Sequence, residues 1–228
     1  MTLRDFLNKL LAIKGYKIEK IDRFKELLDC EYKNTDNFCF IQIGANDGVK
    51  FDDLFTFVVK RKVRGLVIEP LKHYFTKLNS VYSAFPAITA INCAVHSSEK
   101  YVKLYHVDPK IIGTLPEWSQ GIGSIDPEHH KKSGISTDHI ITEEVEAKHL
   151  MSIIGENKLT HVNLLQIDAE GYDGEVIKMI DFQRIKPSII KYEHRNLIEA
   201  DKEGVEALLK TNGYQLLHIK ADTIAVLI

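Results

Sequence analysis

The segments YQLLHIK (214–220) and DTIAVLI (222–228) constrain the fold most. Both read as strands, and almost nothing separates them. Two strands joined so tightly have to pair antiparallel. What precedes them reads differently. An apolar run at 38–43 is followed by a helical stripe over 51–62, where Phe51, Leu54, Phe55, Val58 and Val59 recur at i, i+3, i+4, i+7 and i+8. GLVIEP (65–70) is a short buried strand halted by Pro70. A helix at 72–82 and a third strand at 88–96 follow. Strands and helices alternating through short connections make a parallel sheet covered on both faces, with right-handed crossovers. The chain is therefore predicted to be α/β, mostly parallel, and closed by a C-terminal antiparallel hairpin.

The remaining segments extend this pattern. YVKLYHV (101–107) alternates like an exposed strand. Residues 108–137 have no periodicity and hold Gly113, Pro116, Gly121, Gly123, Pro127 and Gly134, with Trp118, His129 and His130 among them. So long an irregular stretch inside a domain is expected to be functional or mobile. HVNLLQIDAEG (161–171) is a buried strand ending in acids and glycine. A helix at 175–180, a strand at 186–194 and a helix at 203–213 lead into the hairpin. Helical stripes at 3–13 and 18–28 and a loop at 33–37 precede the first strand. The expected organisation is a helical segment, 1–36, and a Rossmann-like domain, 37–228, with an inserted loop region at 108–137. The first segment has too few apolar residues to fold alone.

The balance of 30 Lys and Arg against 32 Asp and Glu leaves a formal charge of −2. Without a basic excess, nucleic acid and anionic membrane surfaces are poor partners. Cys30, Cys39 and Cys93 lie far apart with no C-x-x-C spacing, which fits a reducing compartment better than a disulfide framework or a zinc ribbon. The N-terminal run is too charged for a signal-peptide core. No stretch approaches the roughly 18 apolar residues of a membrane span. A cytoplasmic protein is the expectation.

In a doubly wound sheet, ligands bind beyond the carboxyl ends of the strands, where strand order reverses. Suspect residues gather at those predicted ends. After the first strand come Gly44, Ala45, Asn46, Asp47 and Gly48. Glu69 and Pro70 end the second, and Asn92 and Ala94 lie late in the third. Asp168 and Glu170 follow the fourth, and Glu193 and His194 the fifth. The loop Gly44-x-Asn46-x-Gly48 lacks the third glycine of the G-x-G-x-x-G pyrophosphate fingerprint. Small residues here permit close approach to a ligand without phosphate, although a plain turn also uses them. Glu69, 21 residues past Gly48, has the spacing of an acid that accepts hydrogen bonds from a ribose diol. Asp168 and Glu170 flank one small residue after a buried strand, where desolvating two acids is costly. Glu193 beside His194 forms a general-base pairing. His129 and His130 can cover a substrate or supply a base, with His130 the one chosen. The rival readings are helix caps for the acids and exposed surface positions for the histidines.

Taken together, FIQIGANDG, GLVIEPLKHYFTKL, INCAVH, GIGSIDPEHHKK, LLQIDAEGYDGEVIKMIDF, IIKYEHRNL and GYQLLHIKADTIAVLI resemble the FkbM-type methyltransferases in order and spacing, from about residue 38 to the end. The resemblance implies a class I Rossmann-like methyltransferase fold and S-adenosylmethionine as methyl donor. It also implies O-methylation of a sugar, glycan or related natural product. Carried over residue by residue, it places the cofactor turn at Gly44–Gly48, the ribose acid at Glu69, the I-D-x-E-G signature on Asp168, Glu170 and Gly171, and the strand-end acid at Glu193. Many class I methyltransferases carry an acid two positions before the first glycine. Here that place is Gln42, an amide without charge.

The expected cofactor contacts are Gln42, Gly44, Ala45, Asn46, Asp47, Glu69, Pro70, Asn92, Ala94 and Asp168. The expected catalytic residues are Asp168, His194, Glu193 and His130, with 108–137 closing over the site. A metal-assisted variant, with Mg²⁺ on Asp168, Glu170 and Glu193, is less favoured. The expected partner is a small-molecule or glycan acceptor, with no nucleic acid and no membrane. The N-terminal helices can pair with a second copy in a homodimer or pack on their own domain. Alternatives are a catalytically inactive nucleoside-binding scaffold in a glycan-assembly complex and a nicotinamide-dependent sugar enzyme. The missing glycine and the terminal hairpin disfavour the last.

Overall fold

The computed structural model describes residues 22–50, 52, 54–61 and 63–228. The helix expected at 3–13 and the start of that at 18–28 lie outside these residues. The chain divides into two compact units between Asp36 and Asn37. In the first, α1 (Arg23–Lys33) begins where the Asp22 side chain accepts the Lys25 N–H at 3.2 Å and so satisfies a first-turn donor. It runs five residues past the sequence expectation, because no breaker intervenes before Asn34.

The second unit is built on a seven-stranded sheet. In chain order its first elements are β1 (Cys39–Ile43), α2 (Phe55–Arg61), β2 (Arg64–Ile68), α3 (Lys72–Tyr82) and β3 (Ile88–Ile91). A second, four-stranded sheet follows, made from β4 (Ala94–Val95), β5 (Tyr101–Val107), β6 (Gly123–Ser124) and β7 (Ile140–Lys148), with α4 (His129–Lys132) between the last two. The chain then passes through α5 (Leu150–Glu156), β8 (Leu164–Ile167), α6 (Asp173–Lys178), β9 (Ile189–Glu193), α7 (Glu199–Thr211), β10 (Tyr214–Ile219) and β11 (Asp222–Leu227).

The large sheet has the order β10-β11-β9-β8-β1-β2-β3. Strands β3, β2, β1, β8 and β9 are mutually parallel, and β11 is antiparallel to both β9 and β10. This is the class I Rossmann-like arrangement, hairpin included. Every residue of β1 and β8 is buried. Covered on both faces, these strands are apolar on both rather than alternating, apart from Gln42 and Gln166. The chain leaves β1 toward β2 on one side and returns through β8 on the other. The strand order thus reverses between β1 and β8, and a ligand crevice is expected beyond their carboxyl ends.

Two expectations change. Residues 88–96 are not one strand. After Ile91 the Asn92 amide donates to the carbonyls of Glu69 and Pro70, at 2.9 and 2.8 Å, and the chain turns so that Ala94–Val95 join β7 in the second sheet. Strand β7 is the other change, since no sequence pattern announces it. Its inward residues, Val145 and Ala147, pack with Val102 and Leu104, but its charged outward face masks the alternation. Helices α6 and α7 begin two and four residues earlier than their stripes indicate. Among the described residues no helix is long and apolar enough to cross a membrane.

Candidate functional site

A cleft of about 400 Å³ opens beyond the carboxyl ends of β1, β2, β8 and β9. Its floor starts at Gly44. The backbone there has φ +75°, and a Cβ on it would lie 1.9 Å from the Asp168 carbonyl oxygen. The ends of β1 and β8 meet at this point, where the Asp168 N–H donates to Ile43 O at 3.0 Å. The close approach that demands glycine is made by the protein's own backbone. The N–H groups of Gly44 and Ala45 both donate to Ile68 O at 3.0 Å, which ties the turn to the end of β2.

Glu69 fixes the next step of this turn. It is 5% exposed. Its Oε2 accepts the Asn46 N–H and its Oε1 the Leu71 N–H, both at 2.9 Å. Burial raises its pKa to about 7, against the lowering effect of these two bonds. The carboxylate lines the cleft, and each oxygen keeps a second lone pair for a ligand hydroxyl. Asn46, at φ +49°, also reaches Gln120 O through Nδ2 at 3.2 Å. Asp47 accepts the N–H groups of Val49 and Lys50. Neither Asp47 nor Asn92 lines the cleft; each shapes backbone that does.

The far end of the cleft is acidic. Asp168 is exposed to the open cavity. Desolvation by the surrounding protein, then the carboxylates of Glu170, Asp173, Glu193 and Asp222, push its pKa above the usual carboxylate range. Glu170 (φ +47°) and Gly171 (φ +100°) carry the chain through a left-handed turn. Beneath them lies Asp173, fully buried. Its Oδ2 accepts from the N–H groups of Ala169 and Gly171 at 3.2 and 3.4 Å, and its Oδ1 from that of Glu193 at 3.1 Å. Burial raises its pKa to about 7. Glu193 lines the cleft and accepts the Asn196 amide. Burial, then the Glu170 carboxylate, raise its pKa.

A strap over residues 117–125 walls the cleft with Trp118, Gly121, Gly123 and Ile125. Lys50 Nζ meets Glu117 at 3.1 Å, and Ser124 Oγ donates to Glu170 O at 2.7 Å. Just beyond the strap, His129 Nε2 lies 2.8 Å from Glu170 Oε2.

The structure brings Gln42, Gly44, Ala45, Asn46, Glu69, Pro70, Ala94, Asp168 and Glu193 into one cleft. It does not bring His130 or His194 there. Adjacent helical residues point about 100° apart, so as His129 reaches Glu170, His130 turns to Thr137 Oγ1 at 3.0 Å. Successive strand residues face opposite sides of a sheet. With Glu193 on the cleft side, His194 falls on the other and meets Thr223 Oγ1 at 2.9 Å. Sequence reasoning missed Gln166 and Asp173. Gln166 is the register partner of Gln42 across β1 and β8. Both amides line the cleft, and both Oε1 atoms are buried without a hydrogen-bond partner among the described residues. Asp173 had one signal, a third acid five residues after Asp168. Among the described residues no group of three or more His, Cys, Asp or Glu is arranged to hold a metal ion.

The methyltransferase FkbM domain matches residues 42–216. The chain belongs to the FkbM methyltransferase family. It is accordingly an S-adenosylmethionine-dependent methyltransferase. No curated protein matches this FkbM chain. Among solved structures it is similar to the methyltransferase FkbM from Methylobacillus flagellatus KT, at 14% identity and TM-score 0.48, covering 84% of this chain and 44% of that one. It is similar to the N-terminal domain of human METTL16 in complex with SAH at 12% identity and TM-score 0.46, covering 99% and 81%. A precorrin-6y C5,15-methyltransferase from Geobacter metallireducens GS-15 matches at 10% identity and TM-score 0.41, covering 93% and 90%.

The cleft suits the family's cofactor on its own chemistry. Unpartnered buried amide oxygens are costly unless a ligand or water completes them, and Gln42 and Gln166 place two in its floor. At the β2 end, Glu69 offers a carboxylate to a diol.

Proposed function

We propose that this FkbM methyltransferase transfers the methyl group to a hydroxyl oxygen of a sugar, a glycan or a related natural product. The observation that carries the reading is the division of one cleft into a β2 end with Glu69 and a β8–β9 end with Asp168, Glu170 and Glu193. Gln42, Gly44, Ala45, Asn46, Glu69, Pro70, Ala94 and Asp168 would hold the cofactor. When bound, S-adenosylmethionine supplies an electrophilic methyl group on a positively charged sulfur. Asp168 and its neighbouring carboxylates present negative charge to that cation. Trp118 offers an exposed aromatic face at the cleft wall, and such faces stack on sugar rings. The acceptor is a small molecule or glycan rather than nucleic acid or membrane, in keeping with the net charge of −2.

The test has two arms. Calorimetry with S-adenosylhomocysteine measures binding. Incubation with methyl-labelled S-adenosylmethionine and a pool of oligosaccharides and glycosides measures transfer. Binding together with label in base-stable methyl ethers supports the reading. Binding with no transfer to any hydroxyl acceptor supports a nucleoside-binding scaffold instead. Label on nitrogen or carbon overturns the oxygen assignment.

A further inference from the structure

The histidine–carboxylate pair of this cleft is His129–Glu170, and its two oxygens stand in different surroundings. Glu170 Oε2 is held by His129 Nε2 at 2.8 Å and lies 3.5 Å from Asn196 Nδ2. Glu170 Oε1 faces the strap, where a Cβ on Gly121 would come no closer than 3.8 Å. Gly121 thus puts no side chain beside Oε1, and both residues line the cleft. His129 is 3% exposed, and its Nδ1 has no hydrogen-bond partner among the described residues. The hydrogen bond this buried ring makes through Nε2 therefore serves a cleft carboxylate. Two further features fix Glu170. Ser124 holds its carbonyl, and its backbone sits at φ +47°, a conformation that costs a non-glycine residue and persists where surroundings over-determine it.

We propose that Glu170 is the base that removes the acceptor's hydroxyl proton through Oε1, and that His129 positions it through Oε2. The inference rests on the O-methylation reading. The acceptor's O–H bond breaks, and its proton passes to Oε1. The oxygen's electron pair forms the new C–O bond while the C–S pair returns to sulfur, leaving a neutral thioether. The proton then leaves through the cleft mouth. His129 stays outside the reacting atoms and acts by holding one carboxylate oxygen while the other is left for the acceptor. The titratable groups beside Glu170 are Asp168 on the same loop, Glu193 on β9 and His129 on α4.

The test compares Glu170→Gln, His129→Gln and His129→Leu in the full chain. Affinity for S-adenosylhomocysteine, measured by calorimetry, is expected to stay within about twofold, which also shows that the variants fold. Methyl transfer to the hydroxyl pool should fall by ~10²-fold or more in Glu170→Gln. It should fall about tenfold in His129→Leu and much less in His129→Gln, which keeps an N–H donor. A purely structural histidine would make the two His129 variants alike. In imidazole ¹⁵N spectra of the protein without ligands, the His129 Nε2 resonance should move in Glu170→Gln. Wild-type transfer rates in Glu170→Gln, or an unmoved Nε2 resonance, overturn the proposal while leaving O-methylation intact. If wild type methylates no hydroxyl in the pool, the O-methylation reading falls and takes this one with it.

Discussion

Asn46 donates its backbone N–H to Glu69 Oε2 at 2.9 Å, so the turn after β1 is held in place by the carboxylate at the end of β2. The same residue that would meet the ribose thus shapes the loop beside it. Glu69→Gln presents an amide N–H where one backbone N–H now finds an oxygen. A buried donor left without an acceptor costs about 1–3 kcal/mol. The melting temperature and the affinity for S-adenosylhomocysteine should both fall. Unchanged affinity would mean that Glu69 only braces the turn.

Glu69 and Asp173 both titrate near pH 7 in the folded chain, above their ordinary values of 4.5 and 3.8. The folded state therefore holds more protons than the unfolded one between those limits. Each group's contribution is full below its unfolded pKa and declines as pH rises through the folded value, by up to roughly 3–4 kcal/mol. In urea titrations at pH 5 and pH 8, Glu69→Gln should show a smaller loss of stability with rising pH than wild type. Equal slopes would contradict the assignment.

Gly44→Ala places a Cβ 1.9 Å from the Asp168 carbonyl at φ +75°. Both the left-handed backbone and the clash oppose it, and the expected cost is at least ~3 kcal/mol. Gly155, on α5, stands in open space, and a Cβ there would meet nothing within 4 Å. Gly155→Ala should stabilise by about 0.5–1 kcal/mol. Denaturant midpoints of the two variants, moving in opposite directions, check the contrast.

Gln42→Leu removes an amide oxygen that has no hydrogen-bond partner among the described residues. Deleting an unsatisfied buried polar group costs the fold little or nothing, so the melting temperature without ligand should hold or rise. Affinity for S-adenosylhomocysteine should drop by about tenfold, one hydrogen bond's worth. A lower melting temperature with unchanged affinity would assign the amide to the fold alone.

Much of the large sheet was legible because buried parallel strands announce themselves. CFIQI, RGLVI and LLQI need no alternation, and the tight terminal hairpin fixes the antiparallel strand. The rim acids Glu69, Asp168 and Glu193 were legible as the polar residues that end such runs. In the second sheet β5 was legible at 101–107, but β7 was not, because it buries only small apolar residues against β5 and dresses its other face in charge. Nor could spacing choose between His129 and His130, since one step around α4 decides which meets Glu170 and nothing in the sequence sets that helix's rotation. Asp173 was hidden for a similar reason. Its carboxylate serves backbone N–H groups that only the folded loop brings to it.

The placement of β11 between β9 and β10 has a consequence for biosynthesis. Its register partners include Ile190 on one side and Leu216 on the other, both opposite the fully buried Ala225. A ribosome delivers β9 and β10 before the strand that separates them exists. Without residues 222–227 the β9 edge is unpaired and β10 has no partner in the sheet, and such an edge recruits other chains. A chain truncated before that strand is expected to aggregate more readily than the full one.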